Sequence, residues 1–546
     1  MMISFRRQIK LSDPLALSLL VAVAFLVGVT LRLNHLGSAS LWLDETYSAW
    51  FSSRDWHYLW HEVPRFETHP SFYYSVLKLW RVFGDDEFTL RLLSTLINLA
   101  TIPLVARAAF LCGGREMGPF AALASAFLFA CSATQLAASQ DARPYVFMTF
   151  GLVIALLSAI RIMTKEQSAS QPIFRLAGHD LAMSGAFAGL GAGIALMAWS
   201  HNVGAVFGLW LGISLFVWWF VRGRSKILFL NLLVAAAIAV LVYSPNIPIL
   251  MMQLEVMGKN GFWLDRPGWM DVYWTLIELP LGFSRYSRRS IAFSGLALLA
   301  VIVGAVVLFR ATRRAEPRRA VFYLLIVMSA APAATTFALS WIGQPIFLFR
   351  TIQPSQVPLI ILMSFMPFIG GSLKSAGVVG LAALATASAL PRLSVVTIPG
   401  EDWRELVLAI KESRRTENEI PKVMIVPAEA EVPLVYYSKR LDVPMDLQAV
   451  PAAYPAIGPD YVYPAGGGGS PRIVADMRTD VEQEISGVDR VWFVTRGREF
   501  FDPEKVVESA LRRRFPCELQ ELPRGQLLAA ADEYGRCPAV QHAEKP

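Results

Sequence analysis

Long apolar stretches separated by short charged segments fill the first 390 residues of the chain, whereas charged residues recur every few positions after Pro391. Because a helix rises about 1.5 Å per residue, roughly 20 apolar residues cross the hydrocarbon layer of a membrane. The pattern therefore predicts about eleven transmembrane helices, at residues 14–33, 92–111, 118–138, 145–163, 181–200, 203–221, 227–250, 291–310, 320–342, 354–372 and 375–391.

Basic residues in the short loops indicate the orientation. The loops that share a side with the N-terminus all carry Lys or Arg, at residues 113–115, 164–180, 222–226 and 310–319. Cytoplasmic loops are enriched in these residues, so we expect the N-terminus in the cytoplasm. The first apolar stretch has basic residues before it but no small-residue cleavage site, which favours a retained helix over a removed signal peptide.

An odd number of helices places the C-terminal segment on the side opposite the N-terminus. Two long loops, at residues 34–91 and 251–290, share that outer side. We therefore expect a membrane domain at residues 1–391, with its outer loop at 34–91, and a soluble extracytoplasmic domain at residues 392–546.

The C-terminal segment has the pattern of a small α/β domain. Apolar residues recur with helical spacing in Trp403–Arg414 and in Glu504–Arg513. Lys422–Val426 and Arg490–Val494 are typical of short buried strands. Residues 451–471, rich in Pro, Gly and Tyr, predict a loop.

Charge and cysteine content add little to this picture. The net charge of +7 reflects the inner loops, so it does not indicate a nucleic-acid partner. Cys112 and Cys131 lie in or beside apolar stretches, where we expect inert buried residues. Cys517 and Cys537 lie in the soluble segment, and a disulfide between them would require an oxidising compartment, so both states stay open.

Two adjacent carboxylates, Asp44 and Glu45, follow the residues Leu41-Trp42-Leu43 just outside the first predicted helix. One interpretation is structural, because acids favour the first turn of a helix and Asp44 could be its N-cap. The other is functional. Partial desolvation at a membrane surface raises the basicity of a carboxylate, which could then accept a proton from a hydroxyl group.

Further polar residues occupy the short loops on the same side. Asp141 and Arg143 lie beside an apolar helix, where they should form a structural ion pair or face a cavity. His201 ends the fifth predicted helix as an interfacial residue or as a ligand contact. Arg350 either extends towards lipid headgroups or binds a lipid phosphate.

The shared side of these residues is more informative than any one of them. The predicted helix interiors carry few charges, and the inner loops carry few acids. A site of carboxylates, arginines and histidines at a membrane surface suits a reaction on a lipid-linked phosphate. The residues on the outer side are Asp44, Glu45, His69, Asp141, Arg143, His201 and Arg350.

Residues 41–45 resemble a motif of the GT-C membrane glycosyltransferases, most closely the bacterial family-39-like group of protein O-mannosyltransferases and lipid A aminoarabinose transferases. His-Pro-Ser-Phe-Tyr-Tyr at residues 69–74 is similar to the family's His/Lys-Pro-Pro-Leu-Tyr-Tyr. Residues 83–92 match Phe-Gly-x-x-Glu-Phe-x-x-Arg-Leu, and residues 142–145 match Ala-Arg-Pro-Tyr. The resemblance is dense over residues 40–145.

The resemblance thins beyond residue 145. Trp199-Ser200-His201 is similar to a histidine at the end of the family's fifth helix, and Asp402-Trp403-Arg404 to the start of its outer domain. The chain departs from the family at Ser71, where a second proline is usual, and at Thr351, where tyrosine commonly follows the arginine.

The resemblance implies transfer of a sugar from a polyprenyl-phosphate donor to a lipid, glycan or protein acceptor at the outer face of a bacterial inner membrane. Asp44 matches the catalytic acid position. It would act as general base on the acceptor hydroxyl, which attacks the anomeric carbon with inversion through an oxocarbenium-like transition state. His69 takes the family's phosphate-contacting position, with Arg143 and Arg350 as further candidates.

The other implied residues contribute to substrate binding. The expected substrate-binding residues are Glu45, His69, Tyr73, Asp141, Arg143, Tyr145, His201 and Arg350. Weaker candidates for the phosphate are Arg285, Arg288 and Arg289. Glu45 could instead orient Asp44 or hold a cation. Two adjacent acids are too few ligands to define a metal site, so no metal ligand is assigned and a divalent cation stays open.

Two other functions compete with an enzyme. A transporter or flippase of lipid-linked sugars would carry ionisable residues near the middle of its helices, whereas the charges here cluster at one surface. An inactive scaffold with a sensory outer domain would tolerate Asp44→Asn. The sequence leaves the identity of the sugar and of the acceptor open.

Overall fold

The computed structural model describes most of the chain, at residues 14–164, 181–260, 264–283, 287–370, 373–393, 401–456, 470–515, 517–521 and 529–535. Up to residue 393 the described segments are mainly helical. In chain order, the helices are α1 (Pro14–Leu33), α2 (Leu43–Ser53), α3 (Phe72–Trp80), α4 (Glu87–Cys131), α5 (Ala133–Ser139), α6 (Tyr145–Thr164), α7 (Leu181–Ser200), α8 (Gly204–Val221), α9 (Lys226–Tyr243), α10 (Ile247–Asn260), α11 (Trp269–Glu278), α12 (Arg288–Thr312), α13 (Glu316–Ile342), α14 (Phe349–Ile352), α15 (Gln356–Met363) and α16 (Leu373–Ala389).

These helices confirm a multi-pass membrane protein. Within the described residues, nine helical stretches are long and apolar enough to cross a membrane. One of them, α4, has 45 residues and consists of two arms, and a shorter apolar helix occupies Gly185–Ser200. With α4 counted as two and the shorter helix added, the helices that could cross a membrane in the described ranges number eleven, in agreement with the sequence prediction.

The two arms of α4 form a hairpin that turns at Gly114. Gly114 has φ +63°, a left-handed conformation that favours glycine. The Arg32 guanidinium at the end of α1 contacts both arms, donating to Asn98 Oδ1 and to the Ala130 carbonyl at 2.9 Å each. Since Asn98 and Ala130 lie equally far on either side of Gly114, the arms run antiparallel and side by side.

Two predicted helices are interrupted. The helix predicted at 118–138 ends at Cys131, because Ser132 leaves the helical conformation and caps the separate helix α5 through a hydrogen bond from Gln135 N to its Oγ. The helix predicted at 354–372 begins earlier, at Phe349, and includes short 3₁₀ turns that contain Pro354 and Pro367. Proline cannot donate a backbone hydrogen bond, so it favours such breaks.

The bundle has a basic end and a site end. At the basic end, the Arg318 guanidinium lies against Gly114, and Arg222 Nη1 is 3.5 Å from Glu316 Oε2. The site end is reached along the first arm of α4, where Arg91 binds Glu45. Three of the loops predicted to be cytoplasmic, at residues 113–115, 222–226 and 310–319, thus gather opposite Asp44, whereas the fourth, at 164–180, lies almost entirely outside the described residues.

The C-terminal segment folds around a mixed five-stranded sheet with strand order β2-β1-β3-β5-β4. β1 pairs in parallel with β2 and β3, whereas β5 is antiparallel to β3 and β4. The strands are β1 (Lys422–Val426), β2 (Asp446–Ala449), β3 (Arg490–Arg496), β4 (Cys517–Glu521) and β5 (Ala529–Gly535). The helices are α17 (Trp403–Glu412), α18 (Glu431–Leu441), α19 (Arg478–Glu484), α20 (Arg498–Phe501) and α21 (Val506–Arg514).

The sheet confirms the predicted α/β character of this segment. β1 coincides with the predicted strand, and its residues from Val423 to Val426 are buried because it lies between β2 and β3. The predicted loop at 451–471 lies mostly outside the described residues, as does Cys537. The Cys517–Cys537 disulfide therefore stays a prediction, while Cys112 and Cys131 are buried as expected.

The sheet domain packs directly on the outer loop. Leu41, Tyr74, Trp403 and Val407 belong to one buried apolar cluster. Polar contacts surround it: Leu41 N donates to Tyr437 Oη at 2.7 Å, and Arg404 Nη1 lies 3.2 Å from Glu87 Oε1. The outer loop is thus enclosed between the helical bundle and the C-terminal domain.

Candidate active site

Asp44 lies in the first turn of α2, close to the N-terminus of the helix. The helix starts at Leu43, so Trp42 is the N-cap and Asp44 is not, contrary to one interpretation of the sequence. Glu45 Oε2 accepts a hydrogen bond from Trp42 N at 3.3 Å. Two acids in a first turn also interact favourably with the helix dipole, which explains why this sequence begins a helix here.

Glu45 is completely buried and anchors α2 to α4. Its carboxylate forms a bidentate ion pair with Arg91, with Nε 2.7 Å from Oε1 and Nη2 2.6 Å from Oε2. Oε1 also accepts a hydrogen bond from Ala142 N at 3.0 Å. Each oxygen therefore accepts two hydrogen bonds from the protein. Both oxygens of Glu45 are thus engaged within the protein, and the expected contact of Glu45 with a substrate or a cation stays a prediction.

Asp44 faces two arginines. Its Oδ2 lies 2.9 Å from Arg350 Nη1 and 3.9 Å from Arg143 Nη2. Arg143 Nη1 also donates to the Asp44 carbonyl at 3.0 Å. Burial acts to raise the pKa of Asp44, but the charges of Arg143 and Arg350 outweigh it, so the pKa lies below its ordinary value. Asp44 is therefore ionised at neutral pH.

Aromatic rings hold Arg350 in place. Its guanidinium carbon lies 5.8 Å from the centre of the Trp42 ring and 5.6 Å from that of Tyr145. Cations bind favourably over such rings. Trp42 and Tyr145 thus orient the cation that pairs with Asp44.

Two histidines extend the site beyond Arg143. The imidazole rings of His69 and His201 are perpendicular, and their centres are 4.9 Å apart. Arg143 Nη2 lies 3.4 Å from each ring nitrogen of His69, and Glu67 Oε1 lies 2.5 Å from Nδ1. Burial lowers the pKa of His69, although the Glu67 carboxylate acts to raise it. Burial and the neighbouring His69 hold the pKa of His201 well below its ordinary value. Both rings are therefore neutral at pH 7.

Asp141 differs from Asp44 in its ionisation. Its Oδ1 accepts a hydrogen bond from Trp42 Nε1 at 3.1 Å. Burial and the nearby Glu45 carboxylate raise the pKa of Asp141 to about 7. The two acids of the site thus titrate in separate pH ranges.

A cavity of about 470 Å³ opens next to these residues. Arg350, Asp141, Trp42 and Tyr145 form its charged and aromatic side. The rest of its wall combines apolar residues, among them Leu36, Ala137, Phe283 and Phe349, with the polar or ionisable residues His35, Arg91, Thr134, Gln140, Glu278, Gln353 and Arg392. Apolar walls with convergent polar groups are the usual form of a small-molecule site.

The remaining sequence candidates divide between the site and its surroundings. Tyr145 lines the cavity. Tyr73 is fully buried, with its ring packed against Tyr74 and Phe147, so it supports the outer-loop core. Arg288 and Arg289 are exposed in the first turn of α12, and Arg285 lies outside the described residues.

Several residues of the site were not among the sequence candidates. Trp42, Glu67 and Arg91 lie within motifs or loops that the sequence already marked, so their positions carried a signal. Arg496 of the C-terminal domain also acts electrostatically on Asp44. It has no local signature, because it is one arginine among many in a soluble segment.

Metal ligands are not grouped in the part of the chain that the structure describes. No set of three or more His, Cys, Asp or Glu side chains there is placed to hold a metal ion.

No protein-family model and no curated protein matches the sequence. Solved structures share its fold. The aminoarabinose transferase ArnT from Cupriavidus metallidurans, bound to undecaprenyl phosphate, is 16% identical with a TM-score of 0.54, and the match covers 94% of this chain and 97% of ArnT. The oligosaccharyltransferase AglB from Archaeoglobus fulgidus, with an inhibitory peptide and a dolichol-phosphate, is 13% identical with a TM-score of 0.52 over 91% of this chain and 72% of AglB. The chain thus has the GT-C fold.

Proposed function

We propose that this protein is a glycosyltransferase that moves a sugar from a polyprenyl-phosphate donor to an acceptor hydroxyl, with inversion at the anomeric carbon. The fold supports this proposal, since ArnT was solved with undecaprenyl phosphate and AglB with a dolichol-phosphate. The acceptor class, whether lipid, glycan or protein, stays open.

One observation carries the proposal. The ionised Asp44 is paired with Arg350 and Arg143, and Arg350 also lines a cavity whose wall is partly apolar. This arrangement provides a base, cations for a leaving phosphate and apolar walls within one site. A lipid phosphate in the cavity would meet Arg350 while its isoprenoid chain followed the apolar wall.

In the proposed reaction, Asp44 takes the proton of the acceptor hydroxyl as the hydroxyl oxygen attacks the anomeric carbon. The bond between that carbon and the phosphate oxygen breaks, and the phosphate leaves with the electron pair. Arg350 and Arg143 stabilise the negative charge that develops on it. Neutral His201 can donate a hydrogen bond from Nε2 to a phosphate oxygen without adding charge, because its Nδ1 accepts from Val203 N. The one N–H of neutral His69 is directed at Glu67, so His69 acts on the phosphate through its contact with Arg143.

Donor binding would also activate the base. In the unliganded site, Arg350 and Arg143 hold the pKa of Asp44 below its ordinary value. A phosphate that shares these cations adds a negative charge close to Asp44, and both effects raise the pKa of Asp44. A carboxylate with a higher pKa is a stronger base, so Asp44 becomes more effective only when the donor is present.

The charge distribution supports an extracytoplasmic site. The loops that contain Arg115, Arg222 and Arg318 lie at the end opposite Asp44. Short basic loops face the cytoplasm in most membrane proteins. We therefore place the N-terminus in the cytoplasm, and the site and the C-terminal domain outside a bacterial inner membrane.

The test uses the purified full-length protein and undecaprenyl-phosphate-linked hexoses and pentoses, with cell-envelope lipid and glycan fractions as acceptors. Release of undecaprenyl phosphate reports cleavage with any acceptor. We expect turnover with at least one donor, and a loss of about 10²- to 10⁴-fold in Asp44→Asn, because general base catalysis is removed. Asp55→Asn is the matched control, since Asp55 is exposed on the same loop and asparagine caps a helix equally well.

Two outcomes would contradict the proposal. Full turnover in Asp44→Asn would show that Asp44 is not the general base. Movement of intact donor across vesicle membranes, without cleavage of any donor, would identify a lipid transporter instead.

A further inference from the structure

The C-terminal domain supplies a cap for the helix that carries Asp44. The first N–H groups of a helix have no partner within the helix. At the start of α2, Leu43 N donates to Glu401 Oε2 at 2.7 Å. Glu401 precedes α17 and belongs to the C-terminal domain. A distant carboxylate thus binds the residue immediately before Asp44.

Glu401 is itself held from two sides. Arg496, the last residue of β3, places its Nε 2.9 Å from Glu401 Oε1 and its Nη1 3.1 Å from Glu429 Oε1. Trp403 Nε1 lies 3.3 Å from Glu401 Oε2. The Glu401 side chain is 2% exposed, so these contacts are shielded from solvent. One connected set of bonds therefore runs from the sheet to the start of α2.

The chemistry of the cap suits positioning. A carboxylate at a helix N-terminus interacts favourably with the helix dipole, and hydrogen bonds to ionised acceptors are stronger than neutral ones. Asp44 follows Leu43 directly, so a shift of this turn moves the Asp44 carboxylate relative to Arg350. Displacements of about 1 Å at a reacting group reduce rates by roughly a hundredfold.

We propose that Glu401, oriented by Arg496, is a positioning residue that fixes the first turn of α2 and so aligns Asp44 with its cations and with the acceptor hydroxyl. The inference rests on the proposed role of Asp44 as the base. In this role the C-terminal domain contributes to the reaction indirectly, because it caps the helix that carries Asp44.

The test compares three substitutions in the full-length protein, using the undecaprenyl-phosphate-linked sugar that the wild type cleaves. Glu401→Leu removes the acceptor of the Leu43 N–H, and we expect kcat per folded molecule to fall about tenfold to a hundredfold with an unchanged donor KM. Glu401→Gln keeps an acceptor oxygen and should recover most of the loss. Glu405→Gln, at an exposed position of α17, should match the wild type.

Measuring kcat and KM separately on folded protein distinguishes a positioning role of Glu401 from a role in stability alone. If Glu401 only stabilised the fold, the monodisperse fraction of each variant would turn over at the wild-type kcat. If Glu401→Leu does not yield folded protein, Arg496→Gln tests the same claim, because it removes the cation that orients Glu401. Wild-type kcat in that variant would overturn the inference.

The failure of this inference differs from failure of the proposed function. Full activity of Asp44→Asn would refute the assignment of Asp44 as the base, and with it both proposals. Loss of activity in Asp44→Asn, with wild-type kcat in Glu401→Leu and Arg496→Gln, would refute the positioning role alone.

Discussion

At the scale of single residues, the negatively charged groups of the site compete for a small number of arginines. Asp44 and an entering phosphate both need Arg350, and Asp141 borders the same cavity. The Asp141 carboxyl is neutral below about pH 7 because burial and Glu45 raise its pKa. Above that pH it adds a negative charge to the space that a phosphate would enter.

This predicts that affinity for undecaprenyl phosphate weakens as the pH rises through about 7. The sign follows from the raised pKa: deprotonation of Asp141 repels the phosphate. Asp141→Asn stays neutral at every pH, so its binding curve should lack this component, while the ionisation of the phosphate itself remains in both proteins. Isothermal titration at pH 6 and at pH 8 measures the difference. Equal pH dependence in the two proteins would contradict the prediction.

The sequence marked the residues of the site unevenly. Asp44, Arg143 and Arg350 lie close to long apolar stretches, where a polar residue is expensive to bury and therefore seldom incidental, whereas His69 was marked by the resemblance of residues 69–74 to a family motif. Glu401 was not, because its partner Leu43 lies 358 positions away and contributes only a backbone N–H group. Such a contact has no signature in residue type or spacing.

At the scale of elements, hydrophobic periodicity predicted the helices, but local backbone chemistry set their ends. Ser132 divides a continuous apolar stretch because its hydroxyl can cap a new helix. In the C-terminal domain, α18 was missed because Pro433 in its first turn interrupts the expected pattern. The strand β1 was predicted correctly, since a run of apolar residues is what a strand buried on both faces requires.

The hairpin of α4 gives a prediction at this scale. Gly114→Ala places a Cβ on a backbone with φ +63° and ψ −151°, which is essentially restricted to glycine and costs another residue about 1–3 kcal/mol, and this atom would also meet the Arg318 guanidinium. We expect a lower thermal unfolding midpoint in detergent. Gly212→Ala is the control, because a Cβ at this helical position meets no atom within 4 Å, and alanine favours helices. Equal midpoints for the two variants would contradict the assigned strain.

At the scale of the whole molecule, the distribution of charge makes the orientation testable. Ser53 and Arg313 are both exposed, Ser53 at the end of α2 and Arg313 in the loop after α12 at the basic end. Cys112 and Cys131 are buried, so they should react slowly with added reagents.

In a background with Cys517 and Cys537 replaced by serine, Ser53→Cys should react with a membrane-impermeant maleimide in intact spheroplasts. Arg313→Cys should react only after the membrane is opened, since we expect the basic loops to face the cytoplasm. Gel-shift of the labelled chain measures both. Labelling of Arg313→Cys in intact spheroplasts would reverse the orientation.

The contact between Leu43 and Glu401 also bears on how the protein is made. Its two partners lie 358 positions apart, so at roughly 5–20 residues per second the ribosome adds the second partner some 20 to 70 s after the first. Throughout that interval the helix that bears Asp44 is already synthesised but uncapped. A nascent or prematurely terminated chain would therefore cleave the lipid-linked sugar donor only slowly, and full activity would arrive only with the last domain.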